Sequence, residues 1–374
     1  MKASPQKLYS VLTAFTLALL SAAPNAIERP FEIERLGNFD SPWALEFLPD
    51  RRVLVSEMSG NLKLLDQDGR LLGNVSGMPK VAYGGQGGLG EIALHPSFEN
   101  NNLVYMSFAE SGKDNTYGAA IIRAKLNLSE DGGSLSSVET IWKQYPKVSG
   151  QGHFGHRITF DEAGYLWISS GERQKFDPAQ DMSSNLGKII RLNDDGSIPV
   201  DNPFFFGEGI TRELWSLGHR NPLGLAFDAE GRLWTVEMGP KDGDELNLVR
   251  RGANYGYPTV SNGDHYNGKK IPDHDTRHDF SPPTITWTPV ISPSSMMFYA
   301  ANAFPTWKGN AFIGGLSSKA IIRVGFEGDT AKEIERFPMG FRVREVEAAP
   351  DGSIWVLEDG RRGDGSLVKL IPKG

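Results

Sequence analysis

Apolar and polar residues alternate along most of this chain in short runs, and Gly, Asp, Asn or Pro interrupts nearly every run. A period of two predicts β-strands, and no long window keeps an apolar stripe at helical spacing. The alternation recurs as a phrase: an apolar run, an Asp- or Pro-containing turn closed by Gly, then a short strand with an aromatic. Ala44–Asp50 leads to Val53–Val55, Ile158–Gly164 to Tyr165–Ile168, Leu225–Gly231 to Arg232–Thr235, and Val346–Gly352 to Ser353–Val356. Looser copies are Ile92–Pro96 with Leu103–Met106, and Met297–Tyr299 with Ala311–Gly314. Each copy precedes one further apolar stretch: Leu62–Leu65, Ile121–Ala124, Ile189–Leu192, Leu246–Val249, Ile321–Val324 and Leu367–Leu370.

Six copies predict six small antiparallel sheets, each turning where Gly supplies positive φ. One such sheet cannot bury both faces alone. Radial stacking buries them and leaves only short edges. The expected fold is therefore all-β, a six-bladed β-propeller of four-stranded antiparallel blades, favoured over a pair of β-sandwiches because only the propeller explains the copy number. Long insertions at about 173–186, 200–215 and 256–290 are expected as loops crowding one face of the disc, where function resides.

The first residues do not follow this pattern. Lys2 and Lys7 precede an apolar run, Leu8–Ala23, ending in Ser21-Ala22-Ala23 and then Pro24-Asn25-Ala26. That order describes a secretory signal peptide over residues 1–26, cleaved between 23 and 26, in preference to an uncleaved membrane anchor, because the run is short for a transmembrane span and is followed by small residues. Residues 27–374 are expected to form a single domain in the periplasm or outside the cell. An exported chain with no Cys lacks disulfide staples, so its core must be large. Loss of Lys2 and Lys7 moves the formal charge from −7 to −9, which argues against nucleic acid or anionic lipid as a partner.

No Cys nucleophile, Gly-x-Ser-x-Gly elbow or His-Glu-x-x-His motif is present. The Gly-rich run Gly84–Gly90 lacks a following helix, so it reads as a tight loop rather than a phosphate cradle. Three loop segments carry candidate chemistry. Gly152–Ile158 holds His153, a natural base near neutral pH. Gly218–Pro222 sets Arg220 beside Asn221, a pair suited to carboxylate and carbonyl oxygens, or to bracing a loop. Glu237–Glu245, followed by Asn254–Tyr257, clusters oxygens that suit calcium, or form a solvated acidic turn, without EF-hand spacing. Arg342 and Arg344 alternate on one side of a strand, which makes a charged strand face or, as their shared side favours, a grip on one anion.

Leu217–Phe227, Glu237–Pro240, Asp244-Glu245, Gly252–Gly256 and Gly187–Leu192 together resemble the soluble aldose sugar dehydrogenases, within the glucose/sorbosone dehydrogenase family of pyrroloquinoline quinone (PQQ) enzymes. The resemblance runs over about residues 30–372. It implies PQQ- and calcium-dependent oxidation of aldose sugars to lactones by hydride transfer, with electrons passed to an external quinone, dye or cytochrome. His153 would be the base, Glu172 its orienting partner, and Gln86 a substrate contact. Arg220, Asn221, Arg342 and Arg344 would hold PQQ, Arg220 also polarising its quinone oxygen. Carbonyls of Gly239 and Pro240 would bind the PQQ-linked calcium; Glu245 and the Tyr255 carbonyl would bind a second. One departure from the resemblance stands out: many members of that family carry Lys at the position after Leu316, where this chain has Ser317, with Lys319 nearest. No stable membrane insertion is expected, and the chain would be a monomer or homodimer. The alternative reading is a non-redox propeller, either a carbohydrate-binding module or a calcium-dependent lactone hydrolase.

Overall fold

The computed structural model describes Met1 and residues 29–360 and 363–373. Apart from Met1, the leader predicted over residues 1–26 lies outside the described residues. Among the described residues the chain is all-β, with one four-residue helix at Phe98–Asn101 and short 3-10 turns. No described helix is long and apolar enough to cross a membrane.

After β1 (Phe31–Asp40), the strands follow in runs. The first is β2 (Pro42–Phe47), β3 (Val53–Glu57), β4 (Leu62–Leu65) and β5 (Leu71–Ser76). The second is β6 (Leu89–Leu94), β7 (Leu103–Ser111), β8 (Thr116–Leu128) and β9 (Gly133–Lys143), with β10 (Val148–Ser149) beside β8. The third is β11 (Gly155–Phe160), β12 (Leu166–Ser170), β13 (Lys188–Leu192) and β14 (Leu214–Leu217). The fourth is β15 (Pro222–Phe227), β16 (Leu233–Glu237), β17 (Asp244–Leu248) and β18 (Ile285–Trp287). The fifth is β19 (Pro293–Phe298), β20 (Ala311–Gly315), β21 (Ala320–Glu327) and β22 (Thr330–Pro338). The last is β23 (Val343–Ala348), β24 (Ile354–Glu358) and β25 (Asp364–Pro372). It gains its fourth strand from the other end of the chain: β1 pairs with β25, Phe31 opposite Pro372 and Asp40 opposite Asp364. The first two runs also join at their outer edges, where β5 meets β9 in parallel.

The leading strands touch in a closed order: β2 with β6, then β11, β15, β19, β23 and back to β2. Each of the six largest apolar clusters lies between successive runs, the closing one placing Leu45 and Val53 against Ala349 and Trp355. This arrangement is consistent with a β-propeller. The second strands of the runs, such as β3, β12, β16 and β20, are buried along their whole length, because neighbouring sheets cover both faces. Outer strands such as β22 alternate with solvent.

The repeated phrase has a local cause. Asp161 and Asp228 each accept an indole N–H two residues into the next strand, from Trp167 and Trp234, at 2.8 Å. Each also caps its turn by accepting backbone N–H groups, while Gly164 and Gly231 take the positive φ that closes it. Ala349 stands at the matching position in the last run, and there the buried Trp355 Nε1 has no partner.

Arg157, on β11, fills the waist of the axial channel. Its Nε donates to Leu223 O on β15 (2.7 Å), and its Nη2 to Ser294 O on β19. Its Nη1 donates to Glu91 on β6 (2.7 Å) and to Glu345 on β23. Its guanidinium lies 4.0 Å from the Trp43 ring on β2. One side chain thus contacts all five other leading strands.

The loop expectation needs a correction. The segment around 200–215 joins β13 to β14 at the Leu192 end, whereas Ser170 and Lys188 mark the opposite end. Asn202 ties it down there by donating to Arg191 O and Arg212 O. The long loops therefore do not all crowd one face: β13 runs away from the 171–187 loop, so its next connection must lie at the far end.

Candidate active site

The site forms where the leading strands begin. Each has a register shift at its first residues, between Pro42 and Ala44, Leu89 and Ile92, Gly155 and Ile158, Pro222 and Gly224, Pro293 and Ser295, and Val343 and Glu345. Such a bulge re-aims the chain entering the strand. The entering segments carry His153, Arg220, Asn221 and Arg342, and all face one opening.

Two adjoining cavities occupy that opening. One, about 410 Å³, is lined by Gln86, Asn221, Arg342 and Arg344 together with Trp43, His156 and Asp359. The other, about 290 Å³, is lined by His153, Glu172, Arg220 and Pro240 with Phe176 and Tyr257. The consecutive pairs His153–Phe154 and Arg220–Asn221 divide between them. Glu245 and Tyr255 line neither.

His153 is buried and held at φ +49°. Its backbone N–H donates to Gln86 Oε1 at 2.7 Å, and its Nδ1 lies 2.5 Å from Glu172 Oε1. Gln86 thus spends its carbonyl oxygen on the His153 loop and has its amide N–H groups left to offer. Burial pushes the His153 pKa down, and the Arg220 and Arg173 charges add to this against the Glu172 hydrogen bond. The imidazole is therefore neutral at pH 7. With the Nδ1 proton directed at Glu172, Nε2 carries the free lone pair of a base. Burial raises the Glu172 carboxyl, but the His153 hydrogen bond, the Phe176 N–H and the Arg220 charge outweigh it and keep the group ionised.

Arg220 is braced from several sides. Its N–H donates to Glu237 Oε2 (2.7 Å), and its Nη1 donates to Met238 O (2.9 Å) and Gly239 O (2.5 Å). Glu237 in turn holds His219 at 2.9 Å, and His219 stacks on Tyr255 with centroids 4.6 Å apart. The buried Arg220 Nε has no partner, nor do Asn221 Oδ1 and Arg344 Nε. Each orphan of this kind costs about 1–3 kcal/mol, so a polar, anionic occupant fits this funnel. Arg342 and Arg344 do share an anion, as their alternation suggested, but it belongs to the chain: both approach Asp359 Oδ2, at 2.7 and 3.2 Å.

The calcium expectations fare differently. Gly239 O already accepts from Arg220, and Tyr255 O accepts from His274 Nε2 at 3.1 Å. Asp244 organises the Gly239 turn, accepting from Gly239 N (3.0 Å) and Ser292 N (2.6 Å), and burial lifts its pKa to about 6. Glu245 is pushed well up by burial and by the Glu237 charge, so a proton can relieve that repulsion. No group of three or more His, Cys, Asp or Glu side chains among the described residues could hold a metal. Gly239 O and Tyr255 O thus each carry one hydrogen bond, while Asn247 Oδ1 is buried without a partner and the Asn247 amide nitrogen reaches both Glu237 and Glu245. Lys319 does not replace the lysine expected at Ser317: it is exposed in the β20–β21 turn at φ +51° and lines neither cavity.

Sequence reasoning missed Trp43, Phe176, Tyr257 and Asp359. A signal existed for Trp43. Ser41-Pro42, Asn221-Pro222 and Ser292-Pro293 all open leading strands, so aligning them matches Ser41 and Ser292 with Asn221 and puts Trp43 at the same strand opening, two residues on.

The comparisons with known proteins bear on this geometry. The family model described as Glucose / Sorbosone dehydrogenase matches residues 39–369. The chain belongs to the glucose/sorbosone dehydrogenase family. Similar proteins in that family include aldose sugar dehydrogenase YliI of Escherichia coli, 37% identical, with the match covering 96% of this chain and 97% of the relative. The crystal structure of the soluble aldose sugar dehydrogenase from Escherichia coli in the apo-form superposes with TM-score 0.86 at 37% identity, covering 92% of this chain and all of that one. The PQQ-bound aldose sugar dehydrogenase of Streptomyces coelicolor gives TM-score 0.74 at 28% identity, covering 91% and 98%.

Proposed function

We propose that this glucose/sorbosone dehydrogenase family member oxidises aldose sugars at the anomeric carbon to lactones with bound PQQ, and passes the electrons to an external quinone, dye or cytochrome. In this reading residues 27–374 form one six-bladed β-propeller domain that works in the periplasm or outside the cell. The observation that carries it is the neutral His153 held by the Glu172 carboxylate in a cleft shared with Arg220, beside a funnel whose buried Arg220, Asn221 and Arg344 polar atoms lack partners.

When bound, PQQ supplies a quinone carbonyl carbon that accepts the anomeric hydride. The residues of the chain do the rest. His153 Nε2 removes the anomeric hydroxyl proton as the C–H bond breaks. Glu172 holds the Nδ1 proton and stabilises the imidazolium that results. The Arg220 guanidinium, which lines the cleft and is already desolvated, hydrogen-bonds oxygen where negative charge gathers. Arg342 and Arg344 bind cofactor carboxylates in exchange for part of their hold on Asp359. Asn221 and the amide of Gln86 complete the polar lining. Calcium enters this reading only if Arg220 releases Gly239 O; Glu237, Glu245 and Asn247 offer a second set of oxygens.

Purified protein mixed with PQQ, with and without Ca²⁺, tests the proposal. PQQ is expected to raise the unfolding temperature and to permit dye reduction by at least one member of an aldose panel. Neither effect with any sugar would refute it and favour a non-redox binding role.

A further inference from the structure

One wall of the His153 cleft is built on a conformation its residues disfavour. Phe176 has φ +65° and ψ −84°. Arg173 and Gln174, just before it, have φ +62° and +58°. Side chains with a Cβ rarely adopt this region, and such outliers persist only where the surroundings over-determine them.

The surroundings are specific. Glu172 divides its carboxylate: Oε1 meets His153 Nδ1, while Oε2 accepts the N–H groups of Lys175 (2.5 Å) and Phe176 (2.8 Å). Arg173 is buried and donates to three backbone carbonyls, Gly152 (2.8 Å), Tyr117 (2.5 Å) and Gly150 (2.6 Å), over the Phe154 ring at 3.7 Å. The group that orients the base therefore also fixes the turn that presents Phe176.

What the turn presents is an exposed phenyl ring. Phe176 is 43% exposed and lies on the cleft wall with His265, Tyr266 and Asn267. Its ring meets His265 edge-on at 5.4 Å and Tyr257 at 6.4 Å. Exposing a phenyl ring on a strained turn gains no folding free energy, because the hydrophobic effect favours the opposite. Its place on the wall of the His153 cleft makes the ring available to a ligand with an apolar face. A pyranose has such a face, formed by its ring C–H groups, with hydroxyls around the rim that suit His265 and Asn267.

We propose that Phe176 is the platform on which the aldose ring lies beside His153, and that it is a specificity-determining residue. The inference rests on the sugar-oxidising reading above. The contact acts on the bound sugar before and during proton removal alike, so its loss falls on KM rather than on kcat.

The test uses the full chain loaded with PQQ. Phe176→Ala is expected to raise KM for aldoses roughly tenfold, while the pH profile of kcat and the PQQ-induced thermal shift stay as in the unaltered protein. Phe176→Tyr, which keeps the flat face, is expected to restore KM. Unchanged KM in Phe176→Ala would overturn the proposal. So would a lowered kcat with a shifted pH profile at constant KM, since the ring would then act only through the His153 turn. If Phe176→Ala does not fold, Phe176→Leu keeps apolar volume without a flat face: a raised KM supports the platform, and an unchanged KM overturns it. Failure of the underlying redox reading appears separately, as no dye reduction by the unaltered protein.

Discussion

The two ends of the axial channel handle buried charge in opposite ways. At the far end, a cavity of about 460 Å³ gathers Glu46, Glu91, Glu345 and Glu347 beneath Arg157. Every nitrogen of the Arg157 guanidinium donates to a partner, and Trp43 covers its face. At the near end the cations are left partly unpaired: Arg220 Nε and Arg344 Nε have no acceptor. Along this axis the fully satisfied cation fixes the fold, whereas the unsatisfied ones line the funnel and are available to a ligand. That contrast separates the structural arginine from the functional ones more sharply than sequence position does, since Arg157 lies only a few residues from His153.

The largest effect should come from breaking the satisfied end. Arg157→Met leaves Glu91 and Glu345 buried without their cation, at a cost of roughly 3–5 kcal/mol. Urea unfolding at pH 7 should show a midpoint well below that of the unaltered protein. An unchanged midpoint would mean the waist is not held by this residue.

A smaller effect should appear in the pH dependence of the far cavity. Burial, then the Glu345 charge, pushes Glu347 up to about 8, and burial lifts Glu345 to about 7 against the pull of Arg157. Glu46 is raised as well, by burial and by Glu347, Glu91 and Glu345. In the unfolded chain these groups titrate near ~4.3. Between the two values the folded protein holds protons that the unfolded chain has released, so stability present at low pH is lost as pH rises towards 8. Glu347→Gln removes one such group. The fall in melting temperature between pH 5 and pH 8 should shrink by on the order of 1–3 °C. A steeper fall would contradict the assignment.

Most of the fold was legible because its repeat is local. The stretches predicted to follow each copy coincide with β4, β8, β13, β17, β21 and β25, since a turn closed by Asp and Gly and a buried alternating strand need only their own neighbours. Ala349 shows the limit of that legibility: the pattern repeats there, but the carboxylate that would satisfy Trp355 is missing. Partners distant in sequence were not legible. Nothing near Arg342 announces Asp359, nothing near Arg157 announces Leu223, Ser294 or Glu345, and β1 gives no sign that it pairs with β25. His153 and Arg220 could be singled out because their loops carry unusual chemistry beside a strand start. Phe176 could not, because an exposed aromatic in a loop has no meaning until its backbone and its neighbours are known.

The most direct measurement follows the absorption of bound PQQ when aldose is added without any other acceptor. The unaltered, PQQ-loaded protein should show reduction of its cofactor. The His153→Ala variant should bind PQQ with the same thermal shift but reduce it at least ~100-fold more slowly. Equal rates in the two proteins would contradict the assignment of His153 as the base, and no spectral change in the unaltered protein with any aldose would contradict the account as a whole.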